Sequence, residues 1–164
     1  MILKYVLIVL SFYNTSAFAN SQPFNTIPLV SQNGKNINWN DYETIIVGSK
    51  TSSDLAQKWS KKISEYKKIR RDEICAVACV PKWMLKTMTA RFIIKKSICM
   101  YESKIPIFID WSEEFAKLNG VDSYPTVIIV KHDRTGSYEV GRIVGKLNTN
   151  TWKKYLDIDN TVVG

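Results

Sequence analysis

Apolar and polar positions along this chain switch between a strand period and a helix period, and the order of the switches predicts an α/β protein. Residues 43–48, with the apolar Ile45, Ile46 and Val47 closed by Gly48, read as a buried strand. Ser49, Lys50, Thr51, Ser52, Ser53 and Asp54 follow, a stretch rich in hydroxyls that cap helices. Leu55, Trp59, Ile63 and Tyr66 then recur at helical spacing and give the next helix one apolar face. Residues 74–80 are an unbroken apolar run, of the kind a parallel sheet buries on both faces, and Pro81 closes it. Leu85, Met88 and Phe92 mark a second helix running towards Cys99.

The second half continues the alternation. Residues 105–109 read as a strand, with Asp110 or Ser112 placed to cap a short helix that carries Phe115 and Leu118 and ends at Gly120. Residues 126–130 and 138–144 are two more strands around a turn at residues 132–136, and a last helix starts near Asn150 with Trp152, Tyr155 and Leu156 inward. Ahead of all this, residues 20–41 read as a lead-in hairpin, folded about the turn signal Gln32-Asn33-Gly34. Parallel strands come first and an antiparallel pair last, which is a layered α/β sandwich on a mixed sheet.

The N-terminus stands apart from that globule. Lys4 supplies a positive start, residues 5–13 are a short apolar run, and Ala17-Phe18-Ala19 is an A-x-A pattern before Asn20. That combination reads as a secretory signal peptide over residues 1–19, too short to be a stable membrane span. The expected organisation is therefore signal peptide 1–19, hairpin 20–41, core domain 42–158 and tail 159–164, in a periplasmic or secreted protein. No later segment reads as a transmembrane helix.

Composition changes the picture little. At 164 residues, with 45% hydrophobic and 23% charged residues, the chain suits one soluble domain. Its formal charge of +8 drops by one if Lys4 is removed. Lys58, Lys61, Lys62, Lys67, Lys68, Arg70 and Arg71 mostly decorate one helix, the pattern of a solvated helix face rather than a nucleic-acid surface.

Candidate chemistry is sparse. Cys75, Cys79 and Cys99 remain after signal removal, an odd number in an oxidising compartment. Cys75 and Cys79 on one strand would share a face with α-carbons about 13 Å apart, too far for a mutual disulfide. Pairing of either with Cys99 stays open, beside the default of buried, inert thiols. His132, the only histidine, falls in the predicted hairpin turn, and no metal site or cofactor is expected. Asp110, Glu113 and Glu114 are accounted for by helix capping.

The fixed order of residues 105–110, 115–121, 123–127 and 141–145 resembles the redoxin or TlpA-type branch of the thioredoxin-like superfamily, and within it the exported YtfJ-type proteins. The resemblance implies a three-layer thioredoxin-like sandwich in which Pro125 is the cis-proline before the antiparallel strand pair. It also implies that the Tyr124 backbone is exposed to extended polypeptides. In that family a Cys-x-x-C pair opens the helix after the first core strand, where the helix N-terminus stabilises a thiolate. Here that place holds Ser49, Lys50, Thr51, Ser52 and Ser53, with no cysteine. The function expected from this departure is a non-catalytic polypeptide- or protein-binding module of the cell envelope. Its site would be those five residues with Tyr124 and Pro125. The alternative is a divergent thiol-disulfide oxidoreductase using Cys75 or Cys79 with Cys99.

Overall fold

The computed structural model describes residues 22–65, 73–99, 103–145 and 150. The signal-peptide assignment, most of the last helix, and the basic residues Lys67, Lys68, Arg70 and Arg71 lie outside the described residues.

Among the described residues, seven strands form one mixed sheet in the order β1-β7-β6-β3-β4-β5-β2. In chain order these are β1 (Gln22–Pro23), β2 (Val30–Ser31), β3 (Thr44–Gly48), β4 (Ile74–Cys79), β5 (Ile107–Asp110), β6 (Thr126–Asp133) and β7 (Gly136–Val144). The helices are α1 (Ser53–Ser64), α2 (Met88–Cys99) and α3 (Glu114–Leu118). β3, β4 and β5 are parallel neighbours, while β6 runs antiparallel to β3 and β7 antiparallel to β6. The Tyr124–Pro125 peptide bond, just before β6, is cis.

The period of two along the strands sorts the core into two faces. Ile45 and Val47, Cys75, Val77 and Cys79, and Ile128 and Val130 point to one face. There they meet α3 through Phe115, and an aromatic group in which Trp39 and Phe115 stack at 4.8 Å with Phe24 edge-on to both. Ile46, Ile74, Val127, Ile129 and Ile143 point to the other face, under Trp59 and Ile63 of α1.

The lead-in turns at Gly34 (φ 80°), where Val30 bridges Asn36 and the Ile37 N–H donates to the Leu29 carbonyl at 2.9 Å, and the residues ahead of that turn reach both edges of the sheet: β1 pairs with β7 and β2 with β5. Trp39 leaves the strand and enters a short 3-10 turn at Trp39–Asp41, because its ring is wanted in the aromatic group and its indole N–H donates to the Ile27 carbonyl at 2.8 Å. Asn25 and Asn119 exchange hydrogen bonds at 2.9 Å, which fastens this lead-in to α3. Arg142 of β7 fastens the same C-terminal end of α3, donating to the carbonyls of Asn119 (2.6 Å) and Gly120 (2.7 Å) while held by Glu139 (2.7 Å).

Three sequence expectations about inward side chains are corrected. Leu55 is exposed, and the stripe of α1 that meets the sheet runs through Ala56, Trp59 and Ile63. Met88 and Phe92 are exposed on α2, a helix that buries no residue at all. Leu118 is half exposed, because the apolar face of the five-residue α3 is filled by Phe115 and Ala116.

Candidate functional site

The C-terminal ends of the parallel strands β3, β4 and β5 and the start of β6 meet at one end of the sheet, where open α/β folds place their crevices. Because Val47 stands opposite Thr126, the segment leaving β3 and the cis-proline segment entering β6 are neighbours. The two stretches singled out in the sequence, residues 49–53 and Tyr124-Pro125, therefore share one surface.

At the β3 exit, the chain turns directly into a helix. Gly48 sits beneath it: a Cβ added there would lie 3.4 Å from both Ala56 Cβ and Ser52 Oγ. Most of the following hydroxyls serve the turn. Ser52 Oγ accepts from the Ser49 N–H at 2.9 Å and donates to the Ser49 carbonyl at 3.2 Å, and Ser53 Oγ donates to the Lys50 carbonyl at 3.0 Å. Ser49 Oγ lies 3.0 Å from Thr51 Oγ1. Ser52 is buried, so the faces this loop turns to solvent are those of Lys50 and Thr51.

At the β5 exit, Asp110 is the anchor, 1% exposed. Its Oδ1 accepts from the Glu114 N–H at 2.9 Å and its Oδ2 from the Ala116 N–H at 3.2 Å, so one carboxylate caps α3 as the sequence predicted. Burial pushes its pKa above the usual carboxylate range, with the backbone N–H groups and the Cys79 thiol pulling the other way. Cys79, its register partner across the ladder, donates its thiol to Oδ2 at 3.8 Å. Burial and the Asp110 charge raise the Cys79 pKa far above a free thiol, and burial alone does the same at Cys75.

Glu113, assigned to helix capping from the sequence, makes no side-chain cap bond and completes the arrangement instead. Its φ of 58° is the left-handed region that β-carbon-bearing residues avoid. In that conformation its Oε1 accepts from the Tyr124 hydroxyl at 3.2 Å. The Tyr124 phenol is pushed up by burial and by its neighbours Cys79 and Glu113. A thiol, two carboxylates and a phenol from three elements thus cluster behind the cis-proline. The main chain of Tyr124 itself takes part in none of the sheet ladders.

The cysteines are not brought together. Cys75 and Cys79 belong to the core on the α3 face, whereas Cys99 is on α2, which lies with α1 over the opposite face. Its thiol donates to the Gln32 carbonyl at 3.4 Å. His132 falls within β6 rather than in the turn: Nε2 donates to the Tyr42 carbonyl at 2.9 Å, which leaves Nδ1 to accept from the Ser137 hydroxyl at 2.9 Å. Among the described residues no group of three or more His, Cys, Asp or Glu side chains is arranged to hold a metal ion. No helix there is long and apolar enough to cross a membrane.

The sequence matches no protein-family model and no curated protein. Among solved structures, the chain is similar to the pneumococcal exposed lipoprotein thioredoxin of Streptococcus pneumoniae, with 19% identity over 80% of this chain and 98% of that one and a TM-score of 0.58. It is also similar to a thiol-disulfide isomerase from Corynebacterium glutamicum (13% identity, 85% and 96% covered, TM-score 0.57). A third similar structure is the N-terminal domain of PilB from Neisseria gonorrhoeae (12% identity, 83% and 89% covered, TM-score 0.55). The protein has the thioredoxin-like fold, as the sequence resemblance predicted.

Proposed function

We propose that this protein is an exported thioredoxin-fold module that binds an extended polypeptide or protein partner of the cell envelope without redox chemistry. The observation that carries the reading is the shared surface of residues 49–53 and Tyr124-Pro125. Where similar folds carry a thiol pair, this chain presents hydroxyls committed to capping. The Tyr124 main chain stays outside the ladders and is free to pair with an incoming strand, as in other strand-addition sites. The signal-peptide pattern in residues 1–19 and the exposed lipoprotein among the similar structures support export. Thiol exchange is not favoured, because Cys75 and Cys79 are separated from Cys99 by the sheet.

The test uses the mature protein and a reduced, carboxymethylated polypeptide, with binding read by fluorescence anisotropy. Saturable binding weakened about tenfold or more by Tyr124→Ala and by Thr51→Glu is the expected result. Thr51 is exposed, so that variant keeps the fold and the test stands even if Tyr124→Ala destabilises the chain. Unchanged affinity in Thr51→Glu and in a folded Tyr124→Ala, Pro125→Ala protein would sink the assignment.

A further inference from the structure

A trough of about 770 Å³ runs between α1 and α2 above β4, on the face of the sheet opposite the aromatic group. It exists for two sequence reasons. Val77, Cys79 and Val80 also border it, but the β4 side chains that alternate towards it are those of Ala76 and Ala78, too small to fill the space that Val or Ile would occupy. Helix α2, which forms one wall through Ile94 and Ile98, buries none of its side chains against the sheet. Ile46 and Ile105 close the apolar interior. The volume is that of an ordinary small-molecule site.

The interior and the rim differ in character. Lys50, Lys61 and Lys104 stand at the rim against one acid, Glu65, and none of the three lysines forms an ion pair among the described residues. The occupant that fits is therefore apolar along its length and anionic at one end.

A polypeptide does not meet that description as well. Its peptide groups need hydrogen-bond partners wherever they leave water. The floor strand β4 is already paired on both sides, to β3 and to β5, and has no ladder position to offer. An alkyl chain makes no such demand.

We propose that the trough is a binding site for a single-chain anionic amphiphile, a long-chain carboxylate, with the chain over Ala76 and Ala78 and the carboxylate at the rim lysines. This goes beyond the polypeptide surface at Tyr124-Pro125. The variants below leave residues 49–53 untouched, so each assignment can fail alone.

Palmitate added to the mature protein below its aggregation limit, with binding followed by calorimetry, tests the site. Saturable binding is expected, strengthening by up to about fourfold for each methylene between laurate and palmitate. Ala78→Leu, which fills the floor, should weaken it about tenfold or more, and Lys61→Glu, Lys104→Glu should weaken palmitate while leaving the uncharged methyl ester unaffected. The two lysines are exposed, so the double variant folds even if Ala78→Leu does not. No saturable binding, or palmitate affinity indifferent to the rim reversal, overturns the proposal. Displacement of palmitate by the carboxymethylated polypeptide, lost in Ala78→Leu, would reassign the trough to the polypeptide and overturn it too.

Discussion

Asp110→Ala tests the architecture of the site most directly, because one buried carboxylate holds three elements together. The substitution leaves the N–H groups of Glu114 and Ala116, bonded at 2.9 and 3.2 Å, without that acceptor, and the Ala116 N–H is buried away from water. Loss of a cap costs about 0.5–2 kcal/mol and a buried donor left unpaired about 1–3 kcal/mol, so a loss of about 2–4 kcal/mol is expected. Asp110→Asn keeps one acceptor oxygen and should cost about 1 kcal/mol at neutral pH. The two proteins should also differ in pH dependence. Burial holds the Asp110 pKa above its unfolded value, so between those two values the folded state binds more protons than the unfolded. Stability from this group is therefore highest below the window and falls as pH rises through it. The asparagine variant lacks that slope. Its deficit relative to wild type should widen as pH is lowered from 7 towards the ordinary carboxylate range. Urea unfolding at both ends of that span, followed through the buried Trp39 and Trp59, measures the gap. A cost for Asp110→Ala under about 0.5 kcal/mol would refute the capping argument, and a gap that narrows on acidification would refute the sign of the shift.

Three further outcomes follow from the same structure. Iodoacetamide should modify Cys99 in the native protein and reach Cys75 and Cys79 only after unfolding, since both are buried with thiols pushed well up; intact mass reads the difference, and a native-state triple adduct would contradict it. Trp59→Ala should cost about 3–5 kcal/mol in chemical unfolding, because this side chain, 2% exposed, is the largest group between α1 and the sheet. A cost under about 1 kcal/mol would mean that α1 is not packed as described. Glu113→Gly should be more stable than Glu113→Ala by about 1 kcal/mol: both lose the Tyr124 bond, and only glycine accepts a φ of 58° freely. Equal stabilities would show that the left-handed conformation is not imposed at this position.

The strands were legible because their signal is local. Residues 45–47 and 74–80 are apolar runs with no polar residue that would suit a helix face or a solvent-facing strand, and they became the centre of β3 and the body of β4. Helix faces were less legible. Periodicity selects the largest apolar side chains, so it chose Leu55, whereas α1 approaches the strand end closely at Gly48 and turns Ala56 inward. Met88 and Phe92 misled in the same way, since nothing in a helix's own sequence says how closely it will sit on a sheet. At the site, the hydroxyl stretch and Tyr124-Pro125 stood out from the resemblance. The Cys79–Asp110 contact did not, because it depends on a parallel register between residues 31 positions apart. Glu113 was hidden more deeply: its importance lies in a backbone angle, and glutamate carries no propensity for it.

Serine and threonine, such as those at the entrance of α1, can be nucleophiles when a base activates them. The geometry here supplies no such base among the described residues. His132 lies six residues along β6 from Thr126, roughly 20 Å from the site end of the strand, with both ring nitrogens occupied. Asp110 is spent on the α3 cap and the Cys79 thiol, and Glu113 accepts the Tyr124 phenol. Ser52 and Ser53, meanwhile, give their protons to backbone carbonyls. Asp110, Glu113, Ser52 and Ser53 are thus engaged in holding the end of the sheet in shape. What that end still offers is unpaired main chain beside the cis-proline and a hydroxyl and an ammonium at the helix entrance. Those are the groups through which the proposed polypeptide binding would act.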